Sequence, residues 1–242
     1  MTKKTKAKRT KKYVNKSISN NYNHPQLLRA SINFWMPYVN KIGIENFFYK
    51  PADDGMPNVI ISKHYCGWDA SLAEGGEYVR DVAIRRAEYY NEYMAKVDIT
   101  ADDVHSLFIN AICEQYYDEE LLFLLTKYAH CFSDDEHWDL ITHYWVLQEM
   151  NCDGERQETW NNVFNLRPRI SKLTDELPET FTAYRAGDVN GFSWTLSFET
   201  AEWFQNRFSD HFETEIHQRE FKREDALFYT NDRNEQEVVI AC

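Results

Sequence analysis

The chain changes its hydrophobic pattern once, near Pro178, and that change limits what it can fold into. Before it, apolar residues recur at helical spacing; after it, they alternate as strands do. A chain so divided builds a helical body and a small sheet, and the body must cover a face of the sheet, because an apolar sheet face has to be buried.

From Pro25, the residues Leu27, Leu28, Ile32, Trp35 and Met36 fall on one helix face. Proline is at home in a first helical turn, where its missing N–H is not needed, and Pro37 is expected to end or kink the helix. Pro51-Ala52-Asp53-Asp54-Gly55 reads as a turn, Val59-Ile60-Ile61 as a short strand, and Gly75-Gly76 precede a helix expected from about Glu77 to Lys96. Two capping boxes mark helix starts, Thr100 with Asp103 and Ser133 with Glu136. Between them, Glu119 to His130 is apolar on several sides, the pattern of a central helix.

After Pro178, Phe181 to Arg185 and Phe192 to Leu196 read as strands, and Ser197 caps a helix with Ala201, Phe204 and Phe208 on one face. Further strands are expected at Thr214 to Phe221, Ala226 to Tyr229 and Glu237 to Ala241. The expected fold class is α+β, a mainly helical N-terminal lobe packed on a small C-terminal β-sheet. The division is a disordered basic arm at 1–22, a helical lobe at 23–172 and a β/α portion at 173–242.

Charge separates the arm from the rest. Lys3, Lys4, Lys6, Lys8, Arg9, Lys11, Lys12 and Lys16 lie there, and no acidic residue precedes Glu45. The net charge is −12, and the body beyond the arm holds 19 basic against 39 acidic residues, which repels nucleic acid. Nucleic acid is therefore expected only at the arm, Lys3 to Lys16, which reads equally well as a solubilising tail.

No apolar run reaches the roughly 18 residues of a membrane span, and no apolar stretch of a secretory signal follows the basic start, so a cytoplasmic location is expected. The five cysteines, Cys66, Cys113, Cys131, Cys152 and Cys242, show no paired short spacing; free thiols are expected, without a Cys-type zinc site. His137 and His143 are six apart, not the three or four that a helical metal pair needs, and no metal is expected at them or at His130.

The chemistry-bearing residues crowd into the last quarter. Tyr184-Arg185-Ala186-Gly187, Ser193-Trp194-Thr195 and Asn234-Glu235-Gln236-Glu237-Val238-Val239-Ile240 follow one another within 57 residues. In a strand, Glu235 and Glu237 point to one side, roughly 6 to 7 Å apart along the chain. Paired carboxylates suit a reaction in which positive charge develops on a sugar ring, and a neighbouring guanidinium offers a fork for phosphate.

This combination resembles the mono-ADP-ribosyltransferases of the Arg, Ser, Glu class, and the longer string from Leu177-Pro178 to Ile240 looks like phage and prophage proteins with that fold. The resemblance covers roughly residues 177 to 242 and implies an ADP-ribosyltransferase-like sheet. It implies NAD as substrate, held by Arg185 with Ser193 and Thr195 as the bracing element. It makes Glu237 the catalytic carboxylate and Glu235 the group that orients and deprotonates the acceptor. The acceptor implied is an arginine of a target protein, a host protein if the chain is phage-encoded. Trp194 stands where the family often has threonine, and Ser193 follows Arg185 by only eight positions, short for the NAD-cradling segment of many members.

Plainer readings stand beside these. Arg185 is then a surface ion-pair partner, Ser193 and Thr195 ordinary strand residues, Glu235 and Glu237 solvated carboxylates, and Trp194 and Phe204 core aromatics. The alternative functions are NAD hydrolysis and a non-catalytic interaction protein built on the same fold.

Overall fold

A computed structural model describes residues 25–50, 59–64, 76–147, 154–208 and 215–240. They form an α+β protein in which helices precede a small antiparallel sheet. The basic arm, the turn at Pro51 to Gly55, and Cys66, Cys152 and Cys242 lie outside the described residues. Among those described, no helix is long and apolar enough to cross a membrane.

The chain divides into two compact units, Met1–Arg85 and Arg86–Cys242. In the first, α1 (Pro25–Trp35) runs into a 3-10 turn at Met36–Tyr38, where Pro37 ends the regular helix, and then into the short α2 (Val39–Ile42). β1 (Phe47–Lys50) pairs antiparallel with β2 (Val59–Ser62). Ser31 ties helix to strand: its hydroxyl donates to the Leu28 carbonyl at 2.8 Å and accepts the Ile60 N–H at 2.9 Å. The strand expected at Val59 is present; its partner β1 carries too few residues to declare a period.

The boundary between the units falls inside α3 (Gly76–Met94). The reason lies in the core. One apolar cluster runs from Tyr90 through α4 (Ala101–Asn110), α5 (Tyr117–Lys127), α6 (Asp134–Val146) and α7 (Gly154–Phe164) to Phe192, Leu227, Phe228 and Val239 of the sheet region. Helices that share a core with a sheet belong to the same folding unit, whatever their local pattern.

Both capping boxes form. The Thr100 hydroxyl accepts the Asp103 N–H at 3.1 Å while the Asp103 carboxylate accepts the Thr100 N–H at 2.9 Å, and Ser133 with Glu136 does the same at 3.3 and 2.9 Å. α5 is central as its pattern implies, but it also buries two carboxylates. Asp118 accepts Arg156 Nε–H at 2.9 Å, and Glu120 accepts the Tyr90 hydroxyl at 2.5 Å, so each is paired as a buried charge must be.

The sheet consists of β3 (Thr180–Ala186), β4 (Ser193–Thr195), β5 (Ile216–Lys222), β6 (Ala226–Thr230) and β7 (Glu237–Ile240), all antiparallel, in the order β5-β3-β4-β7-β6. Between β4 and β5, α8 (Phe198–Phe208) is capped by Ser197, whose hydroxyl accepts the Thr200 N–H at 3.1 Å. One sheet face, with Phe228 opposite Val239, meets the rings of Trp145, Trp160 and Phe164 on the helices. The other gathers Phe181, Ala183, Trp194, Phe221 and Val238 into a second core. Each fully buried Phe or Leu here contributes about 1.5–3 kcal/mol, so the helical cover is a large part of what holds the sheet.

Candidate active site

The three motifs fall on three neighbouring strands. Arg185 is on β3, Ser193 and Thr195 on β4, and Glu237 opens β7, so β4 lies between the arginine strand and the glutamate strand. The register sets Tyr184 opposite Thr195 and Thr195 opposite Glu237, while Ser193 faces Val239. Directly paired residues share a sheet face, so Ser193, Thr195 and Glu237 are on the face that meets the helices.

Arg185 is not on that face. Alternation from Tyr184 sends it out with Phe181 and Ala183, towards the second core. Its guanidinium then folds into the loop that follows: Nε donates to the Asp188 carbonyl at 2.5 Å, and Nη1 donates to the Ser193 carbonyl. Gly187, at φ 98°, turns the chain out of β3. Gly191 makes room for the guanidinium, since a Cβ there would lie 1.9 Å from Arg185 Nη2. The arginine expected to hold phosphate thus braces the β3–β4 loop.

The two glutamates do converge, by a route the sequence pattern did not contain. β7 begins only at Glu237, and Gln236 has φ 47°, so strand alternation does not align the pair. Asn234 also has a positive φ, 57°. Asparagine accepts that conformation readily, whereas glutamine there costs about 1 kcal/mol. The loop is held against this cost by Asn231, whose side-chain oxygen accepts the Gln236 N–H at 3.0 Å. Thr195 adds its hydroxyl, donated to the Glu235 carbonyl at 2.5 Å, and the Leu196 N–H reaches the Gln236 carbonyl at 3.0 Å.

The result is a carboxylate pair around one guanidinium. Arg233 Nη2 stands 3.0 Å from Glu235 Oε2 and 3.6 Å from Glu237 Oε2. Glu237 is buried at 4% exposure, and its other oxygen accepts Trp145 Nε1–H at 3.0 Å. Burial pushes the Glu235 carboxyl above its usual range; the Glu237 charge adds to this, while Arg233 and Arg207 pull it down. A carboxyl raised in this way is a better proton acceptor than an ordinary glutamate.

Arg233 escaped the sequence reading because a charged loop offers no period; its places two and four residues before the glutamates were the available signal. Trp145 gave none, being 92 residues away. Arg207 on α8 lies over the ring of Trp203 at 5.1 Å, and Trp203 is 52% exposed, so an open aromatic face sits beside a cation that the Glu235 carboxylate feels. Trp194, by contrast, is a core ring: 3% exposed, edge-on to Phe221 at 5.0 Å, with Nε1–H donated to the Gly191 carbonyl at 3.0 Å.

A cavity of about 660 Å³ opens at the opposite end of β3, lined by Arg169, Thr174, Thr180, Lys222 and Arg223 among others. None of the five motif residues lines it, and the carboxylate pair with its guanidinium is the more specific chemistry. Compared with known proteins, the chain matches no protein-family model, no curated protein and no solved structure.

Proposed function

We propose that the chain transfers ADP-ribose from NAD to an arginine of a target protein, in the manner of the mono-ADP-ribosyltransferases it resembles. The observation that carries this reading is the lateral order β3-β4-β7, which sets Thr195 directly opposite Glu237 and next to the loop that brings Glu235 and Glu237 to one guanidinium. Two details support it. A strained φ at Gln236 between the two glutamates is the kind of stored cost that gathers at working sites. The Arg233 guanidinium between the carboxylates is of the same chemical class as an arginine acceptor.

NAD supplies a ribose-to-nicotinamide C–N bond that breaks with its electron pair leaving on nicotinamide, and a guanidinium nitrogen of the acceptor forms the new bond to that carbon. Glu237 stabilises the positive charge on the ribose as it develops. Glu235, its carboxyl raised by burial, takes the proton from the attacking nitrogen. Thr195 fixes the loop that carries Glu235. Arg207 and Trp203 offer the dinucleotide a cation and an exposed ring, and Arg185 acts by shaping the β3–β4 loop.

The test is labelled NAD with a bacterial lysate, native protein beside Glu237→Gln. Label should pass to protein with the native chain only; full transfer by the variant sinks the reading. Glu235→Ala separates transfer from NAD hydrolysis, which needs no acceptor to be oriented and should survive the change better.

A second reading is favoured by a specific observation. Glu237 is 4% exposed with one oxygen on Trp145 and the other beside Arg233, and Arg185 is bonded into its own loop. Under this reading the fold serves as a non-catalytic interaction protein. An NAD titration followed by thermal unfolding discriminates, since a ligand that binds only the native state raises its stability.

A further inference from the structure

We propose that Asp98, His130 and Cys131 bind a tetrahedral, thiolate-accepting dication of the zinc class, with water completing its coordination. The site is independent of the proposed ADP-ribosyl transfer. Asp98 lies in the connection between α3 and α4, and His130 and Cys131 in the turn that follows α5. The three donor atoms face one another: His130 Nε2 is 3.1 Å from Asp98 Oδ1, Cys131 Sγ is 3.5 Å from His130 Nε2, and Cys131 Sγ is 3.7 Å from Asp98 Oδ1.

Those separations, 3.1, 3.5 and 3.7 Å, lie near what a zinc ion imposes. With Zn–N of 2.0–2.1, Zn–S of about 2.3 and Zn–O of 2.0–2.2 Å, donors at tetrahedral corners stand about 3.3–3.6 Å apart. The donor set also selects the metal, because nitrogen with sulfur favours zinc over magnesium or calcium, which prefer oxygen. Three protein donors at an accessible place leave a corner for water.

The segments that carry the donors are fixed independently of any metal. The Tyr128 hydroxyl donates to the Lys96 carbonyl at 3.3 Å, joining the turn after α5 to the connection before α4, and Lys127 Nζ donates to the Met94 carbonyl at 3.1 Å, joining the ends of α5 and α3. The Cys131 N–H closes its turn on the Tyr128 carbonyl at 2.8 Å. Asp98 is followed by buried Ile99, and Cys131 by buried Phe132, so both donor segments are anchored in the core.

Two plainer accounts explain less. A Cys-His-Asp relay would use both ring nitrogens, one towards sulfur and one towards the carboxylate, yet Nε2 faces both here. A His130–Asp98 ion pair, with side chains 60% and 76% exposed, would be worth little, and the Cys131 S–H that reaches the same Asp98 oxygen at 3.7 Å is only a weak donor. The sequence hid the site because Asp98 stands 32 residues before His130.

On binding, the Cys131 S–H bond breaks, the proton passes to solvent and a sulfur–metal bond forms. The test titrates full-length, chelator-treated, reduced protein with Zn²⁺ by calorimetry and with Co²⁺ by absorption. One Zn²⁺ should bind per chain, and Co²⁺ should show a thiolate charge-transfer band. Cys131→Ser should abolish the band, His130→Ala and Asp98→Asn should each weaken Zn²⁺ binding by roughly tenfold or more, and Cys113→Ser should change neither. Circular dichroism checks that each variant keeps its fold; at these partly exposed turn positions it should. Absence of saturable binding, or undiminished binding in Cys131→Ser, His130→Ala or Asp98→Asn, overturns the proposal.

Discussion

Trp145 on α6 donates its indole N–H to Glu237 Oε1 at 3.0 Å, joining the helices to the first residue of β7 across 92 residues of sequence. The carboxylate at the centre of the candidate site is therefore held by the cover of the sheet as well as by the sheet. Trp145 is itself packed edge-on against Trp160 at 5.0 Å and lies against Phe192 and Phe228, so the donor has little freedom to move.

Trp145→Phe removes that donor and leaves Glu237 with the Arg233 guanidinium at 3.6 Å, which costs about 1–3 kcal/mol on unfolding by denaturant. Part of the cost belongs to lost ring volume. Repeating the change in a Glu237→Met background, which has no oxygen to accept the indole N–H, isolates the hydrogen bond, and additive losses would show that the bond contributes nothing.

Glu235 should leave a signature in pH. Its folded-state carboxyl is raised above the ordinary 4.5, so its contribution to stability is complete below that value and is lost as pH rises through the folded value. Glu235→Gln does not titrate. The stability of the variant minus that of the parent should be flat in acid and grow as pH climbs above the usual carboxylate range, read from urea midpoints.

His137 gives the opposite slope. It is 1% exposed, neither ring nitrogen has a hydrogen-bond partner among the described residues, and burial with the nearby Arg167 charge pushes it down from 6.5 to about 4. The unfolded chain takes up this proton near 6.5 and the folded chain does not, so stability falls as pH drops between those values, by up to roughly 3 kcal/mol. In His137→Leu that component should be missing from the same pH series.

Gly191→Ala should displace the Arg185 guanidinium, because the new Cβ occupies its place. Loss of its bonds to the Asp188 and Ser193 carbonyls costs about 1 kcal/mol, and Arg185→Ala should cost a similar amount. The double variant should lose little more than either single one. If Gly191→Ala leaves stability unchanged while Arg185→Ala lowers it, the loop-bracing role is wrong.

The elements were read from local chemistry wherever a side chain announces a boundary. Thr100, Ser133 and Ser197 cap helices because a hydroxyl must meet an orphan N–H, and Pro37 closes α1 for want of one. The unit boundary was hidden because Val239 and Leu121 share a core that no local pattern encodes. In the site, the order of the three motifs was visible. What could not be seen was the side of β3 on which Arg185 leaves, the positive φ at Gln236, and Arg233 between the carboxylates, all consequences of register and loop closure.

The placement of β7 also bears on the chain during its synthesis. Proteins are made from the N-terminus, and here the rings of Trp145, Trp160 and Phe164 wait for Phe228 and Val239, which are among the last residues described. Through that interval the helices present an uncovered aromatic surface, the condition under which nascent chains aggregate or engage chaperones. Ribosome-bound chains stopped before residue 226 should be cut readily by protease within α6 and α7, and chains extended past residue 240 and clear of the exit tunnel should resist.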